Sequence, residues 1–160
     1  MAILDFSTPP STIFNRLLEG GAFPYFVQLI ETAGMKEELI TGGPFTVFVP
    51  TDEAIDASEP EKLKEFKEAL KDPVKAREVL NRYIINDTYR IHQLAEMGSI
   101  QSRNGYQLKF KVICHIKDED NLDMDVGGGK VDFYINDTAR VTLANVPCLN
   151  GVIHIIDKLY

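Results

Sequence analysis

Several groups of residues in this chain have the type and spacing that chemistry needs. Asp52 and Glu53 are adjacent carboxylates, the raw material of general acid–base catalysis. They follow an apolar run that stops at Pro50, where a helix is expected to start. Successive helical residues point about 100° apart, so the two carboxylates would not converge on one substrate. Helix capping is the better account: Thr51 or Asp52 supplies an oxygen to the first N–H groups, and both acids suit the positive helix end. His154 lies alone in an apolar run between Val152 and Ile156 and reads as a hydrogen-bonded core or boundary residue rather than a base. Cys114-His115, Cys148 and His154 are zinc-type ligands, but their spacing fits no common zinc pattern. Both cysteines read as small hydrophobes, and whether they pair is left open. His92 has no motif around it.

Asp118, Asp120, Asn121, Asp123 and Asp125 crowd oxygens into the loop 118–129, the ligand type calcium takes. Their order lacks the EF-hand spacing and its distal Glu. A solvated hairpin tip is the preferred reading, and no metal or cofactor is expected. Calcium or a small ligand at this loop is the alternative. Asn86-Asp87-Thr88 and Asn136-Asp137-Thr138 match the glycan-acceptor pattern of secreted chains, and Asx turns explain them equally well. Gly127-Gly128-Gly129 precedes a strand, so it offers no helix start to a phosphate. Nothing in the sequence supports an enzyme.

The elements that must position these residues follow from the remaining pattern. The chain has 160 residues, 44% hydrophobic and 26% charged, enough for one packed domain. A net charge of -7 disfavours nucleic acid or an anionic membrane as partner. No apolar run reaches the roughly 18 residues a membrane helix needs. The start Met1-Ala2-Ile3-Leu4-Asp5 lacks the marks of a signal peptide, and a trimmed chain would lack them too.

Ser11 or Thr12 is expected to cap a first helix ending at Gly20-Gly21, and Phe23 to Thr32 a second ending at Gly34. A short helical turn, Lys36 to Ile40, precedes the strand run. After Pro50, Ser58-Glu59-Pro60-Glu61 reads as a capping box, and Val74, Val79, Leu80 and Tyr83 as a buried stripe. Arg90 to Met97 is a further short helix. From Ser99 the period changes from 3.6 to 2. Asn104-Gly105 marks a hairpin, Val131 to Ile135 and Arg140 to Val146 read as strands, and Val152 to Leu159 closes the chain as one more. Helices first and antiparallel strands second argue α+β.

Two long motifs then carry a resemblance. Thr46-Val47-Phe48-Val49-Pro50-Thr51-Asp52-Glu53-Ala54-Ile55 is similar to the first signature of the fasciclin domain family. Val141 to Val146 with Asn150-Gly151-Val152-Ile153-His154-Ile155-Ile156-Asp157 resembles the second. The match covers about residues 10–160, so one fasciclin-like domain over 1–160 is expected. The resemblance implies a wedge-like β sandwich with helices along one side. It also implies a non-catalytic module of cell adhesion or surface attachment, outside the cell or on its surface, that binds proteins, with glycans or self-association as further options. Thr46, Phe48, Pro50, Thr51, Asp52, Asn150, Gly151, His154 and Asp157 are then structural motif residues. Two departures stand out. Many members carry Tyr-His near the end of the helix before the sheet, where this chain has Arg82 and Tyr83. These two are the candidate partner-binding residues. Where Val-Asn-Gly is usual, the chain reads Ile135-Asn136-Asp137.

Overall fold

The computed structural model describes residues 11–103, 105–115 and 130–160. Three helices come first: α1 (Ile13–Gly20), α2 (Pro24–Ala33) and α3 (Lys36–Thr41). After β1 (Phe45–Pro50) come α4 (Asp52–Asp56), α5 (Pro60–Ala69) and α6 (Pro73–Arg82), then β2 (Ile84–Asn86) and α7 (Ile91–Met97). The rest is strand: β3 (Ser99–Gln101), β4 (Gln107–His115), β5 (Lys130–Ile135), β6 (Ala139–Cys148) and β7 (Gly151–Ile156). The chain is therefore α+β, with a mixed seven-stranded sheet ordered β2-β1-β7-β6-β5-β4-β3.

Local sequence explains most element boundaries. Thr12, extended, accepts the Asn15 N–H at 3.4 Å, and Gly21 in the left-handed region stops α1. Pro24 occupies the first turn of α2, and Gly34, at φ 72°, ends it. Asp72 caps α6 through the Val74 N–H at 3.0 Å, with Pro73 in its first turn. Two expectations fail here. Ser58 does not cap α5. Glu59 stands at that position without a side-chain bond. The Ser58 hydroxyl instead donates to the Ala54 carbonyl (2.8 Å) and accepts the Leu159 N–H (2.8 Å). Val74 is 70% exposed. It stands in the first turn of α6, away from the face on which Ala76, Val79 and Leu80 are buried.

β1 is buried at every residue because it lies inside the sheet, antiparallel to β2 and parallel to β7. Its register sets Phe45 opposite Gly151 and Phe48 opposite His154. The approach is too tight for a side chain at 151: a Cβ there would strike the Phe45 carbonyl oxygen, and Gly151 has φ 152°. β7 ends at Ile156, earlier than the apolar run suggests, and Leu159 and Tyr160 turn into the core.

The sheet is strongly curled. Four steps separate β1 from β4, about 19 Å in a flat sheet. Yet the Phe48 and Phe110 rings lie 6.2 Å apart, and Phe110 meets Phe133 at 5.3 Å. Past the end of β3, the Arg103 N–H donates to the Ile84 carbonyl of β2 at 2.9 Å. The two ends of the strand order thus meet, which leaves short edges with little unpaired backbone to expose. The helices are bonded to one another. Arg77 of α6 donates to the Ala33 carbonyl at the end of α2 (2.8 Å), and Thr32 to the Leu70 carbonyl (3.1 Å).

One side chain ties the N-terminal helices to the last turn. Asn150 Nδ2 donates to the carbonyls of Leu39 (2.8 Å) and Gly42 (3.0 Å), and Oδ1 accepts the Ile13 N–H (2.9 Å). Asn150→Ala leaves three main-chain groups without partners and should lower unfolding free energy by about 3 kcal/mol. Asn150→Asp, which faces two carbonyls with a carboxylate, should do no better. Urea unfolding of both variants tests this; a loss under about 0.5 kcal/mol would show that water replaces the amide.

Candidate functional site

Several polar residues of the two long motifs bond to main chain, with Thr46 and His154 fully buried and Thr51, Asp52, Asn150 and Asp157 partly so; Glu53 is exposed. Thr51 caps α4 through the Ala54 N–H at 3.1 Å. Asp52 does something else. Its Oδ1 accepts the Tyr25 N–H (3.0 Å) at the start of α2, while its own N–H donates to the Ala22 carbonyl (3.1 Å). Thr46, fully buried, donates to the Asp87 carbonyl (2.7 Å) and accepts the Tyr89 N–H (2.8 Å). Asp157 accepts the Arg140 N–H at 2.8 Å, and Arg140 also reaches Asp132 at 3.6 Å.

His154 is 0% exposed and stacks against Phe48 at 5.6 Å. Nε2 lies 2.9 Å from the Tyr89 carbonyl, which can only accept, so Nε2 carries the proton. Nδ1 then accepts the Asn145 N–H at 3.0 Å. Both nitrogens are engaged, which leaves no lone pair for a metal or for a substrate proton. Burial pushes the imidazole pKa down to about 4, partly offset by the bond to Tyr89. Asn145 is left-handed (φ 61°) beside the register shift of β6, and its Oδ1 accepts the Ile91 N–H (2.9 Å) at the start of α7. This residue was not singled out from the sequence. Its signal is present: an Asn inside the apolar run Val141 to Val146 marks a bulge, since Asn tolerates left-handed backbone.

The fasciclin domain family model matches residues 21–159. This chain belongs to that family. Fasciclin domains generally serve as adhesion or interaction modules, typically extracellular or surface-associated. Among curated proteins, Protein sll1483 of Synechocystis sp. is 31% identical over 137 residues, 86% of this chain and 66% of the relative. Among solved structures, a FAS1 domain pair from the insect cell adhesion molecule Fasciclin I is similar at TM-score 0.61 and 23% identity. That likeness covers 88% of this chain and 45% of the other. This fasciclin domain thus spans about two thirds of the curated relative and under half of the solved chain.

The two candidate contact residues part ways. Tyr83 is 2% exposed. Its ring lies 4.4 Å from that of Tyr160 and 6.2 Å from that of Phe26, and its hydroxyl accepts the Tyr160 N–H at 3.2 Å. Burial holds its pKa far above the phenol range. The ring therefore offers no contact surface. Arg82 stays partly exposed. It forms a two-pronged pair with Glu65 (2.9 and 3.0 Å) and lies 5.4 Å over the Tyr106 ring. The pair lowers the Glu65 pKa and raises that of Arg82 through their shared hydrogen bonds. Glu65 and Tyr106 belong to this surface although sequence spacing does not link them to Arg82.

The acidic residues Asp118, Asp120, Asp123 and Asp125 lie outside the described residues. Among the described residues no cluster of His, Cys, Asp and Glu is positioned to hold a metal, and no helix is long and apolar enough to cross a membrane. Cys148 is a free, half-buried thiol whose pKa burial raises. The two glycan-type motifs differ. Asn86 is exposed at the end of β2. The Asn136 amide is occupied, accepting the Lys109 N–H (2.8 Å) and donating to the Gln107 carbonyl (3.3 Å). Asn136 and Asp137 both have positive φ, 52° and 56°, where the family's glycine would sit without strain.

Two measurements check this assignment. Between pH 6.5 and 4 the unfolded chain binds a proton at residue 154 that the folded chain refuses. Stability supplied by neutral His154 is therefore complete above about 6.5, falls as pH drops, and levels off near 4, a span on the order of 3 kcal/mol. The difference in urea midpoint between wild type and His154→Gln, followed from pH 4 to 8, should shrink with falling pH; a constant difference would contradict the neutral buried ring. For the helix end, Tyr83→Ala should lose about 3–5 kcal/mol as a core truncation. Arg82→Ala should lose under about 1 kcal/mol as a surface pair. Comparable losses for both would overturn their placement.

Proposed function

We propose that residues 1–160 form a single fasciclin domain acting as a non-catalytic protein-interaction module in adhesion or surface attachment, outside the cell or on its surface. One observation carries this reading. The polar residues of the two motifs, Asp52, His154, Asn150 and Asp157, bond mainly to main-chain groups that hold the fold together. Function is left to outer faces. The curl that brings Phe48 against Phe110 supports the wedge-like β sandwich of the family. The Arg82–Glu65–Tyr106 surface is the proposed contact at the helix end, with the Arg82 guanidinium as its reactive face and Tyr83 as its support.

Beads coated with the protein and washed over cells of the source organism should be retained well above albumin-coated beads. Arg82→Glu should lower that retention about three-fold or more while its thermal midpoint moves by under about 2 °C. Retention equal to albumin would sink the adhesion reading, and unchanged retention by Arg82→Glu would move the contact elsewhere. Hydrolase activity that vanished in a folded His154→Ala variant would reopen catalysis.

A further inference from the structure

The face of α5 turned away from the core is a different surface. Pro60, Leu63, Lys64, Lys67 and Lys71, with Glu68 at the side, line an open groove of about 380 Å³. The lysines recur at spacings of three and four, so they share one helical face that runs into the turn after α5. Glu68 pairs with Lys75 (3.2 Å), Glu65 with Arg82, and Glu59 with Lys62 (3.5 Å). Lys64, Lys67 and Lys71 are exposed and have no ion-pair partner among the described residues. Three lysines outside any ion pair therefore stand over an apolar floor, with Glu68 at its side, on a chain of net charge -7.

We propose that this groove docks an acidic peptide segment of a partner protein, one that carries an apolar side chain between its carboxylates. The inference rests on the interaction-module reading and names the partner's chemistry. Charge fixes the sign of the ligand: an acidic segment is repelled by most of this surface and attracted here, which gives register as well as attraction. The floor fixes its kind. Pro60, Leu63 and the lysine stems present apolar surface that a leucine would cover and that a sulfated glycan would leave wet.

The probe is a fluorescein-labelled twelve-residue peptide of Glu and Asp containing two leucines, followed by fluorescence anisotropy at low and physiological salt. Binding should weaken as salt rises. It should fall about ten-fold in Lys64→Glu/Lys67→Glu/Lys71→Glu and about three-fold in Lys67→Gln alone. A peptide with serine in place of leucine should also bind about three-fold more weakly. Unchanged melting midpoints establish that the variants fold; should the triple variant fail, Lys67→Gln with the serine peptide decides. No binding by about 1 mM peptide, or equal binding by the variants, overturns the proposal. Equal binding by the serine peptide or by a heparin oligosaccharide reduces the groove to a polyanion surface and overturns it too. Bead retention separates the two readings. Retention without peptide binding sinks the groove alone, and peptide binding without retention sinks adhesion while the groove stands.

Discussion

A helix that starts inside a protein must find partners for its first N–H groups, and this fold meets part of that demand from a distance. The Ile13 N–H is served by Asn150, the Tyr25 N–H by Asp52 and the Ile91 N–H by Asn145. Two of these bonds join a helix start to a strand or turn far along the chain, and the third joins the start of α2 to that of α4. The helices concerned, α1, α2 and α7, are seven to ten residues long, too short to hold themselves together in water. Their ends therefore depend on the sheet, and the sheet's register depends on keeping those side chains in place. Gly151 permits the closest approach, and the neighbouring Asn150 uses it to reach α1 and α3 together.

The parallel pairing of β1 with β7 is the other half of this dependence. About one hundred residues separate the two strands in sequence, so nothing local fixes their alignment. Buried side chains fix it instead. Phe48 touches His154, Phe110 and Tyr160, and His154 reaches both the 87–91 segment and the bulge of β6. A proton added at Nδ1 would point at the Asn145 N–H, and Asn145 holds the first turn of α7. Acid therefore loosens one contact that several elements share.

Much of this was legible beforehand, for reasons that can be named. The helix stops at Gly21 and Gly34, the strand ending at Pro50, the cap at Thr51 and the change of period at Ser99 are local signals with local causes. The motifs pointed to the family. Long-range partners were not legible. Ser58 has the right neighbours for a capping box, but the Leu159 N–H competes for its hydroxyl. Val74 fits a helical stripe, yet it stands in the first turn, before α6 meets the core. Tyr83 was a candidate contact because the family's variation falls there. Its burial depends on Tyr160, which no spacing rule connects to it.

The same logic of partners decides what the outside can do. α5 is held against α6 by two ion pairs, Glu65 with Arg82 and Glu68 with Lys75. Both draw the glutamates of α5 toward α6. Lys64 has Glu68 four residues on, yet with the cation first the pair is the weaker orientation on a helix, and Glu68 is bonded elsewhere. Fixing the two helices together thus draws Glu65 and Glu68 toward α6 and leaves Lys64, Lys67 and Lys71 beside one another without an ion pair. Like charges at that spacing repel by a few tenths of a kcal/mol per pair. A bound carboxylate segment removes that repulsion, so the free surface is already biased toward the ligand that would neutralise it.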